Sequence, residues 1–202
     1  INKEKGGPPV KIQGDPHEAS KIRSFSHKCP PKKWKTRITP PLTFIFANTS
    51  SEHAKTYEFL ERVDLKYGLG IKLLEAQINP LKGRGTGFRL CATYSELRRD
   101  NSLYESSIRK YGIPNLAFPS CTRELKLHPL RAYARTICPK GVCFAVGIRT
   151  DEEKRRSKSA QADKVVYPLL DLFPSDKEDV NSFFEGQEVQ LEIASHLGNC
   201  VF

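Results

Sequence analysis

Leu42-Thr43-Phe44-Ile45-Phe46-Ala47-Asn48-Thr49-Ser50-Ser51-Glu52 opens the stretch whose reading decides the fold. Its first six residues form a continuous apolar run of the kind buried on both faces of a parallel sheet. Asn48-Thr49 ends the run, and Thr49-Ser50-Ser51-Glu52 has the spacing of a capping box. Ala54, Tyr57, Leu60, Val63 and Tyr67 then recur at three- and four-residue intervals until Gly68, a helix stop. Ile71-Lys72-Leu73-Leu74-Glu75 reads as the next strand. Strand, helix and strand at this length predict a right-handed βαβ unit, and with it an α/β domain with a mostly parallel sheet flanked by helices.

Downstream, residues 79–87 form a Gly-rich basic loop. It lacks the spacing and the Lys-Ser/Thr ending of a phosphate-binding Walker sequence. It reads either as a substrate-covering loop or as a plain connector. Phe88 to Tyr94 is expected to be a strand, and a helical region follows to Tyr111, ended by Gly112 and Pro114. The 122–136 region should be helical with a break, His128 capping a second helix that begins at Pro129. Val142-Cys143-Phe144-Ala145-Val146 reads as a buried strand, 151–159 as a charged loop, and Val165-Val166-Tyr167 as a lead into Pro168-Leu169-Leu170-Asp171. Ser175-Asp176-Lys177-Glu178 is a second capping box, opening a helix with Val180, Phe183 and Phe184.

Upstream, the Gly and Pro breakers of residues 1–19 predict a flexible basic arm ahead of one domain spanning 20–202, with a first short strand at Ser20–Ser26. Of the net charge of +10, residues 1–41 hold ten Lys/Arg against three Asp/Glu, so the basic character belongs to this end. It is either a solvated arm or a nucleic-acid contact through residues 28–37, where Trp34 stands among Lys32, Lys33, Lys35 and Arg37. No apolar run reaches the roughly eighteen residues of a membrane span, and no signal-peptide pattern opens the chain. A cytoplasmic protein with its six cysteines mostly reduced is the expectation. The chain has no methionine, begins at Ile1 and stops at Phe202 without a polar tail, which points to a portion of a longer chain, truncated at the C-terminus.

Two segments carry the candidate chemistry. Cys121-Thr122-Arg123-Glu124-Leu125-Lys126 puts a thiol and two cations at an expected helix entrance, where dipole and charge favour thiolate. Gly147-Ile148-Arg149 and then Arg155-Arg156 put further cations beyond the carboxyl end of an expected strand. Converging on one crevice, they would suit an anion, each charge-assisted bond being worth roughly 1.5–3 kcal/mol. The alternative is a set of solvated arginines paired with Glu124, Asp151, Glu152 and Glu153. Cys121 likewise reads as a reactive thiol or as an inert one. The Cys138/Cys143 pair lacks two further ligands for zinc, and His53 and His196 read as structural.

The chain also resembles the phosphoadenosine phosphosulfate reductase-like family, a branch of the adenine nucleotide alpha-hydrolase superfamily, and most of all its phage and bacterial members. The resemblance runs over roughly residues 42–202 in ordered motifs: FIFANTSSEHAKTYEFL, EAQINPLKGRGTGFR, KYGIPNLAFPSCTRELKLHPL, AVGIRTDEEKRRS, YPLLDLFPSDKEDVNSFF and SHLGNC. It implies a Rossmann-like sheet with an adenine nucleotide or sulfonucleotide at the strands' carboxyl ends, and reductase or sulfur-transfer chemistry. It places Asn48 and Thr49 at the nucleotide site, and Arg123, Lys126 and Arg149 near its phosphate or sulfate end. The family's pyrophosphate loop falls at residues 24–29, where Ser26 and Lys28 remain and the glycines do not. An iron–sulfur cluster is not expected: Thr122 replaces the second thiol beside Cys121, and Cys200 stands alone near the end. The resemblance also leaves room for a binding protein on the same scaffold, or for sulfur or adenylate chemistry on nucleic acid.

Overall fold

The computed structural model describes residues 42–193 apart from Lys82, Leu116 and Lys140. The readings made on 1–41 and 194–202 lie outside the described residues, among them Ser26, Lys28, the basic stretch 28–37, His196 and Cys200.

The apolar run becomes β1, Ile45–Asn48, followed by helix α1, Ala54–Tyr67, and β2, Lys72–Ile78. β1 and β2 pair in parallel with Asn48 opposite Glu75, as the βαβ reading requires. Gly68 ends α1 in the left-handed conformation, φ 59°, which glycine adopts without a Cβ penalty. β3, Thr86–Cys91, returns antiparallel to β2, so the Gly-rich 79–85 segment is a hairpin connection. Lys110 Nζ donates to the Arg84 carbonyl within it at 2.6 Å.

Four consecutive residues of β2, Leu73 to Ala76, are buried, because both faces of this central strand are covered. On one side Leu73 meets Tyr57, Cys91 and Leu97. On the other, Ala76 meets Leu103 of α2 (Ser102–Tyr111) and Leu125. Phe88 of β3 stacks edge-on against Tyr133 at 5.5 Å.

Residues 121–137 meet the expectation in part: a second helix has Pro129 in its first turn, but nothing separates it from the first. No break occurs at Pro129: a π-helix, Cys121–Leu127, runs directly into α3, His128–Ile137. His128 N–H bonds the Arg123 carbonyl five residues back. This wider winding lets the chain accept a residue without an N–H, and His128 itself is helical, not a cap.

The 142–146 run yields only a two-residue strand, β4 (Phe144–Ala145), pairing in parallel with β5 (Val165–Val166). Val146 is 41% exposed, so the expected buried strand is short and open to solvent. The charged 151–159 stretch begins as a 3₁₀ turn, Thr150–Arg155. A short helix α4, Pro168–Asp171, precedes α5, Lys177–Glu185. The α5 capping box is formed by Asp176 and Asp179, one residue later than the spacing suggested. Phe184 of α5 stacks on Phe59 of α1 at 5.4 Å.

Candidate functional site

The carboxyl end of β1 is built around Asn48, fully buried. Its Oδ1 accepts from Tyr57 Oη (2.8 Å) and from the Ser50 N–H (3.0 Å). Its Nδ2 donates to Glu75 Oε1 (2.9 Å) and to the Arg98 carbonyl (2.8 Å). Every polar position of the amide is thus engaged within the protein, and Asn48 holds the strand end in shape. The Ser50 bond makes an Asx-type turn, and Ser50 takes φ 64°. The expected capping box is displaced in consequence. Thr49 Oγ1 donates to Glu52 Oε1 at 3.0 Å, but in the loop, and His53 caps α1 through Nδ1.

Glu75 is the charge at the centre. Its side chain is fully buried, with Arg98 N–H on Oε1 at 2.7 Å. Oε2 lies 3.0 Å from Arg89 Nη2 and 3.3 Å from Arg98 Nε, in ion-pair range without hydrogen-bond alignment.

Burial pushes the Tyr57 hydroxyl up to about 12. The folded protein therefore keeps this proton after the unfolded chain, near its ordinary value of about 10, has lost it. Stability is whole below about pH 10 and declines as pH rises toward about 12. Tyr94, raised by burial and by its bond to Asp64, adds to the same decline. Urea melts of Tyr57→Phe across this window are expected to show a shallower decline than the parent; an identical slope would exclude Tyr57 as a source.

The π-helix supplies the second part of the site. Lys126 Nζ lies 3.3 Å from Glu52 Oε1, the same carboxylate oxygen that Thr49 bonds. Thr49 and Lys126, both singled out in the sequence, are therefore joined through Glu52. Glu124, 2% exposed, takes Thr86 Oγ1 on Oε2 (2.6 Å) and Arg123 Nε on Oε1 (2.7 Å). His128 Nδ1 stands 3.1 Å from Oε2. Burial works to raise the Glu124 pKa, but bonds from Thr86, Arg123 and Tyr111, with His128 nearby, outweigh it and hold the carboxyl below its ordinary range. The Arg123 guanidinium lies over the rings of Phe118 (4.4 Å) and Tyr111 (5.8 Å). Cys121 is the first residue of the π-helix and packs against the Ala76–Leu103–Leu125 cluster, half-buried.

The remaining cations have local partners. Arg149 makes a two-pronged bond to Asp151 at 2.9 Å and reaches Glu152 at 3.7 Å, while Arg155 pairs with Glu152. Arg156 pairs with Asp171 at 2.8 Å over the Tyr167 ring. Gly147 is exposed, and Leu169 stands 3.7 Å from where a Cβ would be, an ordinary distance. Asp151 and Glu152 are among the acids that the solvated-arginine alternative named, while Asp171, the partner of Arg156, is not. A shallow depression lined by Ile78, Pro80, Ser106, Arg109 and Lys110 touches the Gly-rich 79–87 loop at Pro80 and contains none of the candidate cations or Cys121.

Glu52, Glu75, Thr86, Tyr111 and His128 are site residues that the sequence does not mark as such, Glu52 and His128 reading there only as helix caps. Glu75 had a signal: a lone acid inside an apolar strand. Among the described residues, no three His, Cys, Asp or Glu side chains gather as metal ligands. Cys138 Sγ donates to the Gly141 carbonyl instead. Four thiolates would be needed for an iron–sulfur cluster, and the four described thiols, Cys91, Cys121, Cys138 and Cys143, do not gather at one place. No helix among them is long and apolar enough to cross a membrane.

The chain matches the family described as "Phosphoadenosine phosphosulfate reductase domain" over residues 33–191. It is 30% identical over 171 residues to a protein of Escherichia phage lambda named "Uncharacterized nin region protein ORF290". That match takes in 83% of this chain and 58% of the phage protein, so the chain spans little more than half the length of this relative. No solved structure matches.

Proposed function

This chain belongs to the phosphoadenosine phosphosulfate reductase domain family, with its α/β, Rossmann-like fold, and from that premise we propose that it binds an adenine nucleotide or sulfonucleotide at the carboxyl ends of β1 and β2. The observation that carries the reading is the Thr49–Glu52–Lys126 junction. It ties the buried loop after β1 to the π-helix bearing Arg123, so that two separated family motifs meet. Arg123 and Lys126, each about two-fifths exposed, are the cations for the phosphate or sulfate end. Reduction or sulfur transfer on such a ligand makes Cys121 the candidate nucleophile. Its thiolate would attack the sulfate sulfur, form a cysteine S-sulfonate and expel adenosine 3',5'-bisphosphate.

The charge concentrated in residues 1–41 motivates a second reading, sulfur or adenylate chemistry on a nucleic acid. Calorimetric titration with adenosine 3',5'-bisphosphate, ATP and a single-stranded oligonucleotide separates the two. The expected result is binding of a nucleotide, weakened roughly five- to twentyfold in Lys126→Ala, in keeping with one charge-assisted contact at a partly exposed site. Oligonucleotide binding alone, lost at high salt, would favour the second reading. No binding to any of the three sinks both. Cys121→Ser is expected to keep affinity and lose turnover; unchanged turnover would remove Cys121 from the chemistry.

A further inference from the structure

Arg123 and Glu124 are neighbours in one helix, yet their side chains meet at 2.7 Å. In an α-helix, adjacent side chains point away from each other and do not pair. The π winding of Cys121–Leu127 brings successive side chains closer in direction, and the contact becomes possible. Arg123 uses only Nε for it. Among the described residues, Nη1 and Nη2 have no acceptor, and the side chain is 42% exposed. Phe118, at 4.4 Å, lies against the guanidinium face.

We propose that Glu124 is a positioning residue for Arg123, holding its guanidinium by Nε so that both Nη groups present a fork to a tetrahedral oxyanion. The oxyanion is the sulfate or phosphate end of the ligand class proposed above, and the inference rests on that reading. Three features support it. Glu124 is anchored independently of Arg123, by Thr86 of β3, itself beside the Tyr111 hydroxyl, and by His128, so the carboxylate is a fixed post. A carboxylate on Nε leaves the two Nη groups, the pair suited to end-on bidentate recognition of two oxyanion oxygens. The aromatic contact restrains the guanidinium plane, which lowers the entropy lost on binding. An arginine that served only to neutralise Glu124 would need neither the ring nor the open fork.

The test uses the whole chain with labelled arginine. Guanidinium resonances are followed by NMR during titration with inorganic sulfate, and adenosine 3',5'-bisphosphate and adenosine are titrated calorimetrically. Sulfate is expected to move the Arg123 resonances in the parent. Glu124→Gln keeps an acceptor for Thr86 but loses the charge on Nε, and is expected to weaken the bisphosphate about tenfold while leaving adenosine unchanged. In an Arg123→Lys background, the same change is expected to cost nothing further, because lysine has no fork to aim.

A folded Glu124→Gln that binds the bisphosphate like the parent overturns the proposal, as does an equal loss for adenosine. If Glu124→Gln does not fold, Phe118→Leu takes its place: a two- to fivefold loss confined to the bisphosphate supports the fork, and no loss overturns it. Sulfate that leaves Arg123 unmoved also overturns it. Sulfate that moves Arg123 while the bisphosphate binds no tighter than sulfate itself overturns the nucleotide reading and leaves the fork standing.

Discussion

Replacing Glu75 with alanine is expected to destabilise the domain by about 2–4 kcal/mol, the cost of leaving two donors, one of them fully buried, without their shared acceptor. The side chain has no solvent exposure and serves four groups: Asn48 Nδ2, the Arg98 N–H, and the cations of Arg89 and Arg98. Arg89 and Arg98, with side chains 37% and 43% exposed, can turn partly toward water. Asn48, wholly buried, cannot, so its amide would lose a partner with no replacement. Glu75→Gln keeps an oxygen for those two donors and should cost only about 1–2 kcal/mol. Urea unfolding curves give both values from their midpoints. A loss under about 1 kcal/mol for Glu75→Ala would show that the strand end is held by packing alone. Because Asn48 leads directly into the Thr49–Glu52 loop, the variant is also expected to weaken whatever that loop helps bind.

The βαβ unit was legible because its signals are local. The apolar run of β1, the three-four spacing of α1 and the Gly68 stop each concern residues within a few positions of one another. What was not legible depended on competition or on distance. The capping box at Thr49–Glu52 had the right residues, but Asn48 Oδ1 captured the Ser50 N–H and turned the chain, which delayed the helix until Ala54. At residues 175–179 several polar side chains qualify as a cap, and spacing alone does not choose between Ser175 and Asp176. Pro129 does lie in the first turn of α3, as its missing N–H predicts, but the break expected ahead of it presumes an α-helix. A π-helix leaves no mark in residue spacing that would have suggested otherwise.

Of the sequence-selected cations, Arg149 and Arg155 pair with acids within three residues, Asp151 and Glu152, which the sequence shows; Arg156 meets Asp171, fifteen residues on, which it does not. The Arg123 environment was half readable. Its partner Glu124 is adjacent, but the anchor on that partner, Thr86, is 38 residues away across the fold. Likewise the acid that joins Thr49 to Lys126 stood in plain view at residue 52 as a helix signal, and its other role required the tertiary structure.

Leu125→Ala is expected to cost about 2–5 kcal/mol, the range for removing a large aliphatic side chain from a closed core. Leu125 has no exposed surface and packs against Ala76 of β2 and Leu103 of α2, so it is the apolar peg by which the π-helix is fixed to the sheet. Leu125→Met, close to it in volume, should cost less than about 1.5 kcal/mol. The side chains on either side, Glu124 and Lys126, reach Thr86 and Glu52 respectively, so they inherit the position that Leu125 sets. Loss of the peg therefore predicts two effects from one substitution: a lower unfolding midpoint, and weaker oxyanion binding at temperatures where the variant is still folded. Leu125→Met should spare both. A destabilised but folded Leu125→Ala protein with undiminished sulfate response at Arg123 would mean that the polar contacts alone hold the π-helix in register, and that the peg serves stability only.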